Sequence, residues 1–224
     1  MARNALTRTL AARRKAPAKR RAAVPVRIAP LAPAFDDGPR GRILRAAAHL
    51  FVTRGYGQST VRDLARAVGI LSGSIFHHFE SKEEILESVM SEVSERSTER
   101  MHRAVASASG PLARVRALIR CELESIHGDS GEAMTLLVSE WRSLGAAAQA
   151  RVLVLRDRYE QVWLTALRAA RRELAPIDPF ILRRLLHGMI SATANWYRPR
   201  GPISIDALTA SIFSLVGRRA GRDG

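Results

Sequence analysis

Residues 59–82 read STVRDLARAVGILSGSIFHHFESK, and this stretch decides the fold class. Its spacing predicts two short helices set across a tight turn, the shape that enters a DNA groove. Thr60 is an N-cap by residue type, because its hydroxyl oxygen can accept from a free N–H of the first turn. Leu64, Ala65 and Val68 then form one narrow apolar stripe. Gly69 ends the helix, since a glycine just past the last apolar position takes the left-handed backbone that a sharp reversal needs. Ile70 falls beneath the bend. A second helix is expected over residues 71–79, with Ile75, Phe76 and Phe79 turned inward and Ser72, Gly73, Ser74, His77 and His78 on the exposed face. Small hydroxyl-bearing residues at a helix start permit close approach to a phosphate backbone, and the N-terminal peptide dipoles favour anions there.

Outward from this stretch the chain stays helical. On its N-terminal side Ile43, Leu44, Ala47, Leu50 and Phe51 recur at helical spacing, flanked by Arg42, Arg45 and Arg54 and closed by Gly55 and Gly57. On its C-terminal side Ser81 and Glu84 form a capping-box pair, and Ile85, Val89, Val93, Met101 and Val105 continue one period as far as residue 109 or 110. Such a helix is a lever between a head and whatever follows. Further helices are expected over 112–126, 132–144, 148–174, 179–197 and 204–216, separated by Gly- and Pro-containing breaks. The expected architecture is all-α: a basic disordered tail (1–38), a three-helix head with a helix-turn-helix (39–80), a six-helix body (81–219) and a short tail (220–224).

Composition narrows the function. The 224 residues are 46% hydrophobic, enough for a sizeable core, and the net charge is +15. Residues 1–35 hold nine Lys and Arg and no acidic residue, so the tail can attract nucleic acid without reading its sequence. The single Cys121 excludes an intramolecular disulfide and fits a reducing cytoplasm. No apolar run approaches a membrane span. The six histidines form no site: His77 and His78 point about 100° apart on one helix, His49, His102, His127 and His187 stand isolated, and no HExxH, GxSxG, paired-Cys or Gly-rich phosphate motif occurs. Neither catalysis nor a cofactor has a visible carrier.

The capped helix, Gly69, the run SGSIFHHF and then SKEEIL together resemble the DNA-binding domain of TetR-family transcriptional regulators over roughly residues 40–90. The resemblance implies nine helices, a homodimer, a double-stranded palindromic operator and a small-molecule effector. Position by position it makes Thr60 and Lys82 phosphate-backbone anchors, Arg62 a base-edge reader, and Ser72, Gly73, Ser74, His77 and His78 the groove-facing set. Phe76 shares that set, but stands where many members carry a tyrosine and so brings no hydroxyl to the phosphate. Paired recognition helices about 34 Å apart would read two operator halves.

In the body, Met101, Trp141, Tyr159, Trp163 and Trp196 either pack as core or line a ligand cavity. The resemblance favours a cavity between the long linking helix and the helices after it. NWYRPRGP (195–202), RYEQVW (158–163) and the head motif also resemble a subgroup that responds to CoA thioesters. Arg151, Arg156, Arg158, Arg168, Arg171 and Arg172 offer cations for phosphates, although residues 169–172, Ala-Ala-Arg-Arg, replace that subgroup's glycine-containing turn. A lipophilic drug or aromatic metabolite is the alternative effector, and a non-specific DNA-coating protein the alternative function. Leu182, Leu186, Met189, Leu208, Ile212 and Phe213, on two broadly apolar helices near the C-terminus, are the expected dimer face.

Overall fold

A glycine at φ 76°, ψ 34° makes the turn in the opening stretch. Gly69 donates its N–H to the Arg66 carbonyl (3.3 Å) and Ile70 donates to that of Ala65 (3.0 Å), the paired closure that ends a helix in the left-handed conformation. The computed structural model describes residues 35–217. Residues 1–34 of the expected disordered tail (1–38) and the last seven residues lie outside the described residues; Phe35, within that expected tail, is buried in the head's core.

Among the described residues the elements run α1 (Pro39–Arg54), α2 (Val61–Val68), α3 (Ser72–Ile75), α4 (Lys82–Ser107), α5 (Pro111–His127), α6 (Gly131–Ser139), α7 (Ala146–Ala170), α8 (Pro179–Ala192) and α9 (Ile205–Val216). Short 3-10 turns cover Trp141–Ser143 and Thr193–Asn195. A lone bridge between Leu174 and Gly217 is the only β pairing among the described residues, and the all-α expectation holds.

Several boundaries differ from expectation, each for a local reason. The helix expected over 132–144 stops at Ser139, where Glu140 leaves helical geometry and its carboxylate accepts from the Ser143 hydroxyl (2.7 Å) and the Tyr56 N–H (3.4 Å). The one expected to reach residue 174 ends at Ala170, and Ala175 instead donates to the Val216 carbonyl at 2.9 Å. The helix expected to reach residue 197 ends at Ala192 and tightens into a 3-10 turn. The capping box at α4 is half formed: the Ser81 hydroxyl accepts from the Glu84 N–H (3.0 Å), while the Glu84 carboxylate takes the N–H of Glu80 (2.5 Å).

Two hydrophobic cores result. The first joins Ile43, Leu44 and Phe51 of α1, Leu64 of α2 and Ile75 of α3 to Ile85, Leu86, Val89 and Met90 of α4. It also takes in Ala133 and Leu136 of α6 and Ala148 and Val152 of α7. The head is therefore packed onto the body. The second core gathers the end of α4, α5, the latter part of α7, α8 and α9 around Trp163. The lever α4 runs through both, and at its start it is tied to α7, with Glu87 gripping Arg151 through two bonds (2.5 and 2.7 Å) and Glu83 accepting the Gly145 N–H (2.8 Å). Arg40 holds the seam between α1 and α4, pairing with Glu92, donating to the Ser88 hydroxyl (3.1 Å) and lying 5.0 Å over the Phe79 ring.

Candidate DNA face and effector cavity

Helix α2 is capped on both sides of its first turn. The Thr60 hydroxyl accepts from the Asp63 N–H (3.2 Å) and donates to the Asp63 carboxylate (2.5 Å), which also accepts the Thr60 N–H (3.0 Å). The Thr60 hydroxyl bonds, followed by its backbone N–H, hold the Asp63 carboxyl below the usual range. The one hydroxyl proton of Thr60 is directed at the Asp63 carboxylate. Lys82 Nζ donates to the carbonyls of Tyr56 and Ser59, each at 2.9 Å, and lies 4.2 Å over the Tyr56 ring. It fastens the loop that delivers α2.

Helix α3 is a single α turn. The expected helix over 71–79 continues as tighter i to i+3 bonds, Phe76 to Gly73 (3.1 Å), His77 to Ser74 (3.4 Å) and His78 to Ile75 (2.9 Å), closed by one i to i+4 bond from Phe79 to Ile75 (3.0 Å). Ile75 and Phe79 are buried as expected, whereas Phe76 is 56% exposed, an expectation overturned because a residue next to Ile75 on the turn is rotated away from the face that Ile75 and Phe79 share. Arg62, Gly73, His77 and His78 are exposed and Ser72 and Ser74 half-exposed, so the groove-facing set does lie at the surface. Leu71, which had drawn no functional reading, is 81% exposed at the start of α3 and makes no side-chain cap.

In the body, a cavity of about 320 Å³ opens between α4, α5, α6, α7 and α8. Met134, Leu137 and Val138 of α6 and Ile126 of α5 give it an apolar wall. Its polar side is built on Arg183, 1% exposed, whose guanidinium bonds Glu122 (3.1 Å) and Glu160 (2.9 Å through both Nε and a terminal nitrogen) and stacks 4.6 Å over the Trp163 ring. Glu122, 2% exposed, also accepts from His187 Nδ1 at 3.0 Å. Burial alone would raise the Glu122 pKa, but the His187 bond and the Arg183 charge outweigh it and hold the carboxyl below its ordinary value. For Arg183 burial opposes the charge, and Glu122 and Glu160 more than reverse that, lifting its pKa. Tyr159 is pushed well above 10 by burial and then by Glu122.

Of the five residues expected to line a cavity, only Tyr159 does. Met101 and Trp163 are fully buried in the second core; Trp141 packs against the first, with Arg156 5.3 Å over its ring; Trp196 is half-exposed and edge-on to Tyr197. Among the six arginines proposed for phosphates, Arg156 lines the cavity and Arg151 is committed to Glu87. The sequence reading missed Glu122, Arg183 and His187. The spacing of Arg183 and His187, four apart on a largely apolar helix that also carries Arg184, was a visible signal; their partner 61 and 65 residues away was not.

The expected dimer residues are largely taken by the chain's own core. Leu182, Leu186, Leu208 and Ile212 are buried in it and Met189 and Phe213 pack against it. What α8 and α9 leave uncovered is Phe180, Ile181, Leu185 and Leu215. Each helix places its large residues on the wide core-facing arc first, and the outer strip lies one step around the helix.

A capped two-helix reader packed on a cavity-bearing helical body defines a ligand-controlled DNA-binding protein. Comparison with known proteins specifies the class. Residues 43–89 match the model for bacterial regulatory proteins of the tetR family, and residues 108–219 that for the tetracyclin repressor-like C-terminal domain. The HTH-type transcriptional repressor KstR2 of Rhodococcus jostii (strain RHA1) is 31% identical over 193 residues, covering 82% of this chain and 94% of the relative. A solved structure described as superantigen pfit is 49% identical, covers 82% of this chain and 91% of its own, and superposes with a TM-score of 0.73. AibR in complex with isovaleryl coenzyme A and operator DNA shares the fold, at 20% identity, coverage of 79% and 96%, and a TM-score of 0.67. The chain belongs to the TetR family of transcriptional regulators. Among the described residues no helix is long and apolar enough to cross a membrane.

Proposed function

We propose that this chain is a dimeric repressor of a palindromic operator, released when a lipophilic molecule enters the cavity. The observation that carries the reading is the position of α6. Its Ala133 and Leu136 belong to the core that holds the DNA-binding helices, while its Met134, Leu137 and Val138 form the cavity wall. A ligand that displaces the wall therefore displaces the packing under the head, and α4, which crosses both cores, carries the shift. Phe180, Ile181, Leu185 and Leu215 supply the self-complementary apolar surface for pairing two protomers. A CoA thioester suits the mouth, where the exposed Arg156 and Arg184 can meet phosphates while the acyl part enters. The cavity, at the low end of small-ligand sites, takes the acyl part and leaves the nucleotide outside. AibR, of the same fold, is described with both isovaleryl coenzyme A and operator DNA.

The test is fluorescence anisotropy on a palindromic duplex from the DNA beside its gene: two protomers per palindrome with saturable binding support the reading, and failure to bind any such duplex at low salt refutes it. The same assay reads out Leu71. An exposed leucine where a helix start favours Ser, Thr, Asp or Asn forgoes a cap, and a thymine methyl is the apolar partner a groove offers. Replacing the half-site thymines one by one with uracil should weaken binding about fourfold at one position, the worth of about 0.8 kcal/mol for a buried carbon. Leu71→Ser should be indifferent to that change. Equal sensitivity of both proteins to every uracil would exclude the contact.

A further inference from the structure

The polar side of the cavity also says which end of a ligand it can take, an inference that rests on the effector reading above. Arg183 makes bonds to both Glu122 and Glu160 from all three of its nitrogens. It is a cation already spent. Two carboxylates against one guanidinium leave this side of the cavity with no surplus positive charge, so a ligand carboxylate would meet Glu122 and Glu160 with nothing left to neutralise it. A ligand ammonium would have to displace the Arg183 guanidinium from these oxygens and give up its own hydration on entry.

One group on this side remains open. His187 lines the cavity with its side chain about half exposed; its Nδ1 is held by Glu122 at 3.0 Å, and its Nε2 has no protein partner among the described residues. When the ring is neutral and donates Nδ1–H to Glu122, Nε2 is an acceptor, its direction fixed by the buried carboxylate. The apolar wall of Ile126, Met134, Leu137 and Val138 stands against the rest of the ligand, and Arg156 and Arg184 are the unspent cations of the lining, both solvent-exposed.

We propose that the cavity selects a compact apolar molecule whose buried end carries a neutral hydroxyl, received by His187 Nε2, and that any anionic part of the ligand stays at the mouth. Glu122 is the positioning residue for His187 and Arg183 keeps Glu122 ionised. The assignment runs against free fatty acids entering carboxylate first and against cationic drugs.

The test uses three probes on one rigid apolar skeleton: 1-adamantanol, adamantane-1-carboxylate and adamantane-1-ammonium, titrated calorimetrically into the full chain without DNA at pH 8. The alcohol is expected to bind at least about tenfold more tightly than either ion, a difference of about 1.4 kcal/mol. His187→Phe should erase that preference, and His187→Gln, which keeps an acceptor, should retain most of it. Either ion binding as tightly as the alcohol, no binding of the alcohol, or a preference that survives in His187→Phe would overturn the proposal. Circular dichroism of both variants separates loss of the site from loss of the fold. Alcohol binding without any change in operator affinity would sink the effector reading and leave this assignment standing; operator release by lipophiles that ignore His187 would do the reverse.

Discussion

Arg183→Met is expected to lower the unfolding free energy by about 3–5 kcal/mol, the cost of breaking a buried ion pair from one side. The change leaves Glu122, 2% exposed, with His187 as its one remaining polar partner, and takes from Glu160 the bonds it receives from Arg183. Urea unfolding followed by circular dichroism measures the loss, and adding Glu122→Leu should recover most of it, because an apolar pair costs less than a stranded charge. The pH dependence gives a second check. In the native chain Glu122 has a depressed pKa, so its contribution is present above the unfolded value of about 4.5 and disappears as pH falls through the folded one. Without Arg183 the carboxyl loses a lowering charge and its pKa moves up under the effect of burial, so the variant loses less stability on acidification than the native chain. The gap between the two proteins should therefore be widest near neutral pH and shrink toward pH 4. A gap independent of pH would show that the loss is packing alone.

Trp163→Ala is expected to cost a similar amount, about 3–5 kcal/mol, through the cavity left by a fully buried indole. The second core that holds it is drawn from several helices, Leu118 of α5, Leu167 of α7 and Leu186 and Ile190 of α8 among them, so refilling the space requires more than one helix to move. Trp163→Phe should restore a large part. The outcome separates two roles for this residue: as a cavity-lining aromatic it would change ligand affinity with little change in stability, whereas in the core it changes stability first. Because Arg183 lies 4.6 Å over the ring, the Arg183→Met and Trp163→Ala losses should fall short of their sum when combined. Additivity would mean that the stack contributes nothing.

The reader helices were legible in the sequence because their signals are local. Thr60, Gly69 with Ile70, and Ser81 with Glu84 each act within a few residues, and in all three places the chain turns or caps where those residues stand. Of the two places the sequence allows Phe76, inward beside Ile75 and Phe79 or outward with the groove-facing set, only the three-dimensional turn shows that it lies outward. Thr60 and Lys82 look like phosphate donors by type; that the Thr60 hydroxyl also donates to Asp63, and that two of the three Lys82 donors go to the carbonyls of Tyr56 and Ser59, depends on geometry.

The cavity was less legible, and for a different reason. Aromatic residues were taken as its markers, yet Trp163 and Met101 were claimed by the core, and the lining came instead from α6 and from charged residues that a solvated face would equally explain. Whether Glu122, Glu160 and Arg183 form a buried cluster is decided by the crossing of α5, α7 and α8, which no local pattern reports. The dimer face shows the same limit in milder form: α8 and α9 were correctly read as apolar over a wide arc, but which side of the arc the body consumes is a matter of packing.

The central claim is that occupancy of the cavity and occupancy of the operator oppose one another through α6 and α4. The direct measurement is a two-way titration: for one cavity-binding compound, the operator Kd with and without saturating compound, and the compound's Kd with and without saturating operator. Linkage requires the two ratios to be equal, and the account predicts a common factor of at least about ten, or about 1.4 kcal/mol, with each partner weakening the other. A compound that fills the cavity and leaves the operator Kd unchanged would contradict it.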